Sequence, residues 1–190
     1  ACREIAAGLS AAEIPNSIPM AVRANPFPPP QALGTEGERW AALNAKVAHS
    51  DALALVREAE SFLARHAEAM REDGIWMSRL LIGISNHAFS YEPVFHWRDA
   101  WLPLHRSTAE PATVAAHPEP PPNLRARERV HALRAEMIEL FRRHGAASNQ
   151  IGRTYPWLDC ARPETRRVIE LLKAGLDPRG VLNRGVLGLG

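Results

Sequence analysis

Two stretches of alternating residues, separated by a short polar turn, place the strongest constraint on the fold of this chain. Leu80, Ile82 and Ile84 recur at every second position, and beyond Asn86-His87 an aromatic series alternates with polar or smaller residues: Phe89, Tyr91 and Phe95. A period of two is typical of β-strands, so we predict an antiparallel hairpin. Pro93 lacks an N–H, which predicts that the second strand lies at an edge or is broken there.

Two longer segments have the 3.6-residue period of helices. The first follows Ser50, a predicted N-cap with Asp51 complementing the helix dipole, and runs to about Arg71 before Asp73-Gly74 ends it. Its predicted buried face is Leu55, Ala59, Phe62, Leu63 and Met70. The second follows Asn123 as N-cap and is closed by Gly145, and its apolar positions are Val130, Leu133, Met137, Leu140 and Phe141.

The remaining chain supplies shorter elements. Residues 40–48 alternate like a half-buried strand, a short strand is predicted within 149–157, and a helix begins at Pro163 and is stopped by Gly175 and then Asp177-Pro178. Prolines predict an extended segment at 13–30 and a surface loop at 109–122. Residues 97–106 are predicted to have no regular secondary structure. The predicted fold class is therefore α+β, an antiparallel sheet with helices packed on one face.

Composition excludes several functions. The 190 residues carry a net charge of only +2 on scattered arginines, which predicts no nucleic-acid partner. Without a long apolar run or a signal-peptide layout, we expect a soluble, cytoplasmic protein with no membrane span. The spacing of His87, His96 and His105 matches no zinc site, and no nucleophile elbow or dinucleotide fingerprint is present. We predict no bound metal.

The C-terminal stretch carries the most specific motif. From Lys173 to Gly185 the chain reads Lys-x-x-x-Asp-Pro-x-Gly-x-x-x-Arg-Gly. This resembles the C-terminus of FAD-linked oxidases of the vanillyl-alcohol oxidase type, which include 4-cresol and D-lactate dehydrogenases. That family has Pro-Gly where this chain has Arg184-Gly185.

The resemblance implies a role for the segment 149–157, which combines a cation, hydroxyls, an amide and an indole. Read on composition alone, the segment is a packed strand with Arg153 on a surface carboxylate. In the family, an Arg-Thr pair at this distance from the terminal helix puts its arginine against the flavin pyrimidine ring. Arg153 is then the group that stabilises reduced flavin, and the further implied site residues are Tyr155 as catalytic, Gln150 and Asn183 on the cofactor, and Glu92 and His96 as candidates for the substrate pocket. Without the resemblance, Glu92 and His96 are interpreted as a solvated charge and a core histidine.

The departures from the family refine this expectation. Gly152 stands where the vanillyl-alcohol oxidase branch has a tyrosine, which weakens a phenol-specific reading. Asn44 stands where some relatives attach the flavin through a histidine, so the FAD is expected to be non-covalent, with His49 nearby. The metal-binding histidine motifs of D-lactate dehydrogenases are absent, in line with the prediction of no metal.

The resemblance also implies a division of the chain. Residues 1–35 would lead in from an N-terminal FAD-binding domain, 36–145 would form the substrate cap, and 146–190 would contact the flavin. The first residue is not methionine, and we expect the chain to be part of a longer enzyme. That enzyme would transfer a hydride from an alcohol, phenolic or 2-hydroxy-acid substrate to flavin N5, and it could be a homo-oligomer. The alternatives are a non-catalytic cap-like binding module and a subunit that completes a site on a separate chain.

Overall fold

A computed structural model describes residues 2–9, 11, 14–24, 34 and 36–189. Its helices and strands, in chain order, are α1 (Cys2–Gly8), α2 (Ser17–Ala24), β1 (Glu38–Ala42), β2 (Ala45–Ala48), α3 (Ala52–Glu72), β3 (Trp76–Ile84), β4 (Ala88–Arg98), α4 (Pro103–Thr108), α5 (Pro111–Ala116), α6 (Leu124–Arg143), α7 (Trp157–Cys160) and α8 (Pro163–Leu176), with a 3₁₀ turn at Val186–Gly188.

The sheet is built around β4, which pairs antiparallel with every other strand. β3, the first strand of the predicted hairpin, lies on one side of β4, and β1 and β2 lie on the other. The pairs Ala42↔Val94 and Ala45↔Tyr91 have the same register against β4. β1 and β2 therefore form one continuous strand position in the sheet, interrupted at residues 43–44. The predicted edge or break at Pro93 is therefore wrong for β4, and the interruption falls on the strand opposite.

Hydrogen bonding explains how β4 tolerates a central proline. The N–H of Leu43 donates to the carbonyl of Pro93 at 3.0 Å. Paired residues of this kind exchange two hydrogen bonds, and Pro93 can supply only the acceptor. One ladder bond is lost, and Pro93 is otherwise fully buried in the core.

Helices α3 and α6 pack against one face of the sheet and confirm the predicted α+β fold. The five residues predicted to be buried on α3 are those that are buried, and α6 buries the five predicted residues together with Ala126. They meet Tyr91 and Phe95 of β4 in one core, where Tyr91 lies edge-on to Phe141 with ring centroids 6.4 Å apart.

The ends of these helices follow the sequence signals closely. Asn123 caps α6 by accepting a hydrogen bond from the N–H of Ala126 at 3.0 Å. The N-cap of α3 is Asp51 and not the predicted Ser50, and its side chain makes no capping hydrogen bond. Gly74 follows α3 with φ at +72°, the left-handed conformation that glycine adopts without strain.

Several predicted irregular segments contain short helices. Within the segment predicted as extended, Ser17–Ala24 is helical, and Pro19 is compatible with this helix because it lies in the first turn, where no N–H is needed. The rest of that segment is described only at residues 14–16. The predicted irregular and loop segments at 97–106 and 109–122 contain the C-terminal end of β4, then α4 and α5, both of which begin at a proline.

The C-terminal region differs from its prediction in two respects. The segment 149–157 is not a strand, although Ala147 forms an isolated bridge with Lys46 at the outer edge of β2. Helix α8 begins at Pro163 as predicted but runs through Gly175 to Leu176, so only Asp177-Pro178 ends it. No residue of α8 is buried.

Candidate functional site

The candidate site begins on the face of the sheet opposite α3 and α6, which we call the open face. Even-numbered residues of β3 and β4 point to it, and Trp40 and Trp76 are both in register with His96. The Trp76 and His96 rings stack with centroids 5.7 Å apart and an interplanar angle of 14°. Ser78 Oγ lies 2.8 Å from His96 Nε2, and burial lowers the pKa of His96 below its ordinary value, which favours the neutral imidazole.

A polar cluster centred on Asn44 occupies the same face. The Asn44 amide nitrogen donates to Ser90 Oγ and to Glu92 Oε2, both at 3.2 Å, while its oxygen accepts from Lys46 Nζ at 3.1 Å. Burial lowers the pKa of Lys46, and the negative charge of Glu92 partly opposes that shift. Asn44 itself is only 6% exposed, which is unusual for an asparagine on a sheet face.

The main chain of Asn44 connects this cluster to the C-terminal region. Its N–H points away from β4 and donates to the Tyr155 hydroxyl at 2.7 Å, and its side-chain oxygen also accepts the N–H of Asn149 at 3.0 Å. Burial raises the pKa of Tyr155, which keeps its hydroxyl protonated. Gln150 is exposed, and its carbonyl accepts a hydrogen bond from Ser148.

Arg153 lies against the terminal loop, which follows α8. Its Nη2 donates to the carbonyl of Arg184 at 2.5 Å, and the loop returns the contact through the N–H of Leu187, which donates to the carbonyl of Gly152 at 2.8 Å. Asn183 precedes this contact, is exposed, and has a left-handed φ of 48°. The structure therefore brings Arg153 and the Asn183 segment together.

The Lys-x-x-x-Asp-Pro-x-Gly motif has a clear structural role in this loop. The Asp177 carboxylate accepts the N–H groups of Val181 and Leu182 at 2.9 and 2.8 Å. Lys173 Nζ bridges that carboxylate and the carbonyl of Leu182. Hydrogen bonds from Lys173 and from these two N–H groups hold the pKa of Asp177 below its ordinary value. The motif therefore closes the turn that carries Asn183.

A groove of about 760 Å³ separates α6 from the segment carrying Arg153, and the 3₁₀ turn closes one side. Two of its arginines are neutralised, Arg142 by Glu139 and Arg166 by Asp159 and Glu170. Arg134 and Arg153 also line the groove, and Arg134 Nε is buried without a hydrogen-bond acceptor among the described residues. Within the described ranges neither of these two guanidinium groups forms an ion pair, although the buried Arg134 Nε is closed to solvent.

The predicted site residues thus fall into connected groups. Glu92 and Tyr155 are joined through Asn44, Arg153 contacts the terminal loop that carries Asn183, and His96 lies four residues beyond Glu92 along β4 on the open face. Sequence reasoning missed three polar residues of the Asn44 cluster, namely Asn44, Lys46 and Ser90. The sequence feature that could have identified them is a polar side chain at each of these even-numbered positions of the predicted strands.

No protein-family model, no curated protein and no solved structure matches this chain. Within the described ranges there is no cluster of three or more histidine, cysteine or acidic residues that could hold a metal ion. A search of the helices in the described part of the chain finds none with the length and apolar character needed to cross a membrane.

Proposed function

We propose that this chain is the cap and C-terminal part of an FAD-dependent oxidoreductase that oxidises an alcohol, a phenol or a 2-hydroxy acid. The observation that carries the proposal is the contact between Arg153 and the terminal loop, because it joins the two segments on which the resemblance to FAD-linked oxidases rests. The Lys173–Asp177 turn supports the same assignment, since the residues that define the motif are those that shape the loop.

The chemistry of the groove fits a flavin ring. The exposed Arg153 presents a guanidinium group without a carboxylate partner among the described residues, with Arg134 beside it in the groove lining. Such a donor suits the electron-rich pyrimidine edge of an isoalloxazine. When bound, FAD would supply N5 as the hydride acceptor. Arg153 would stabilise the negative charge of the reduced ring, with Asn183 and Gln150 as further polar groups for the cofactor.

The open face would supply the substrate pocket. His96 is half-buried and favours its neutral form, so it can accept a proton from a substrate hydroxyl. Glu92 is held by Asn44, and Tyr155 is held by the same residue. Tyr155 would therefore act by orienting groups around it, with its protonated hydroxyl as a donor.

Two measurements test this proposal. The native polypeptide, detected with an antibody to its last residues, should have a mass well above 21.0 kDa and a flavin absorbance spectrum. In that complete enzyme, Arg153→Ala should lower kcat by about 100-fold or more, since removal of one preorganised donor has that effect. It should also lower the flavin reduction potential, because the cation favours the anionic reduced ring.

Arg179→Ala is the matched control, because Arg179 is an exposed arginine of the turn after α8. We expect the control to retain kcat and potential. A colourless native protein of 21.0 kDa would refute the enzyme assignment for this chain, and an Arg153→Ala enzyme with kcat within about threefold of wild type would refute the arginine role.

A subunit that completes a flavin site on a separate chain is the second candidate. Helix α8 provides a surface for such a contact, because its apolar residues Val168, Leu171, Leu172 and Leu176 are all more than half exposed. Such a face calls for a further protein surface. Recovery of a separate FAD-binding polypeptide with a 21.0 kDa chain would support this candidate over the single-chain enzyme.

A further inference from the structure

In the part of the chain that the structure describes, the outer edge of β3 is unpaired along its nine residues. β4 pairs with one side of β3 from Trp76 to Ile84, and within the described residues no other strand pairs with the opposite side. An edge of this kind presents main-chain donors and acceptors to any strand that can approach it.

The hydrogen-bond phase identifies which residues of β3 face outward. The carbonyl of Pro93 accepts from Leu43, so odd-numbered residues of β4 bond toward β1 and β2. Even-numbered residues of β4 then bond toward β3, where their partners are also even-numbered, as in Leu80↔Glu92. The outward main-chain groups of β3 therefore belong to Met77, Arg79, Leu81 and Gly83.

The side chains along this edge lack the usual protection against pairing. Residues 80–84 read Leu-Leu-Ile-Gly-Ile with no charge and no proline, and Leu80, Leu81 and Ile82 are 49%, 54% and 41% exposed. The nearest charge, Arg79, is held by both carboxylate oxygens of Glu60 at 2.9 Å. Natural edge strands normally carry a free lysine, a proline or a bulge at such positions.

We propose that two copies of this chain dimerise by antiparallel pairing of their β3 edges, about a two-fold axis at Leu81. In this register Leu81 pairs with its own symmetry mate through outward main-chain groups, and Arg79 lies opposite Gly83, which leaves room for the Arg79–Glu60 pair. A register centred on Arg79 would place two like charges opposite each other. The occupant is a second copy because the edge is its own complement about this axis.

Sedimentation velocity of the native protein that contains this chain tests the proposal directly. The wild type should show a concentration-dependent dimer, and Leu81→Lys should raise its dissociation constant about tenfold or more, because the two new charges would face each other across the axis. Leu53→Lys is the matched control on α3, where the leucine is 59% exposed, and its dimer should be unchanged. A wild-type chain that stays monomeric, or a Leu81→Lys dimer as tight as wild type, would overturn the proposal.

Amide hydrogen exchange adds a readout that global unfolding would not produce. On dimerisation, the amides of Arg79, Leu81 and Gly83 should become protected, while those of Leu80 and Ile82 are protected at every concentration by β4. Uniform protection of all five amides at low and high concentration would contradict an edge-paired dimer. The outcome is independent of flavin binding, so the two proposals can fail separately.

Discussion

Asn44 is the residue whose replacement should disturb the candidate site most. Asn44→Ala removes two donated hydrogen bonds, to Ser90 and Glu92, and two accepted ones, from Lys46 and Asn149. Lys46 and Glu92 are only half-buried and can be solvated by water, whereas Ser90 is 2% exposed. With about 1 kcal/mol for each net hydrogen bond and more for a buried group left unpaired, we expect a loss of about 2–4 kcal/mol in the free energy of unfolding.

Urea unfolding, followed by circular dichroism and tryptophan fluorescence, measures this loss. Asn149→Ala is the matched control, because Asn149 contributes its main-chain N–H and the substitution keeps that donor. We expect the control to change the free energy of unfolding by less than about 0.5 kcal/mol. If Asn44→Ala were as mild as Asn149→Ala, the Asn44 cluster would not contribute to stability and the reasoning would be refuted.

A double-mutant cycle isolates the contact between Asn44 and Glu92. Asn44→Asp keeps the acceptor for Lys46 but places a second carboxyl group beside that of Glu92. Adding Glu92→Gln should relieve that repulsion, so the double variant should be more stable than the sum of the single effects. Additive effects would show that the two side chains do not interact.

Three further predictions concern the fold that carries the site. Phe95→Ala removes a fully buried ring and should lower the free energy of unfolding by about 3–5 kcal/mol in the same urea assay. Gly74→Ala should cost about 1 kcal/mol because φ is +72°, whereas Gly152→Ala, with open space around it and no positive φ, should be tolerated. Burial would raise the pKa of Asp99, but hydrogen bonds from Arg127 and other donors outweigh burial and hold that pKa below its ordinary value of 3.8. The contribution of Asp99 to the free energy of unfolding is therefore present above pH 3.8 and is lost as the pH falls through the lowered pKa. Asp99→Asn should remove this part of the acid dependence of stability.

The sequence predicted the helical part of the core well because helical burial follows from local spacing. The apolar positions of α3 and α6 recur at 3.6-residue spacing, and they are the residues that pack on the sheet. A period of two is less informative, since it separates two faces without saying which one is covered. Leu80 and Ile82 alternate as a buried series would, yet they lie on the open face.

The errors have local physical causes. Proline density alone could not distinguish an extended segment from Ser17–Ala24, because a proline in the first turn is compatible with a helix. Pro93 by itself indicates an edge strand, but a central strand can lose one ladder bond when the proline ring is well packed. The Asn44 cluster was missed because its partners, from Ser90 to Tyr155, are distant in sequence.

The position of Asn44 shows how the two parts of the candidate site are fixed relative to each other. Its side chain lies on the open face beside Glu92, and its main-chain N–H at the outer edge of the sheet binds Tyr155, two residues from Arg153. Because Tyr155 is buried in the core, it anchors the segment from which Arg153 reaches the terminal loop. Any rearrangement of the chain at Asn44, between β1 and β2, would therefore move the Arg153 segment relative to Glu92, and in the proposed enzyme it would couple the positions of substrate and cofactor.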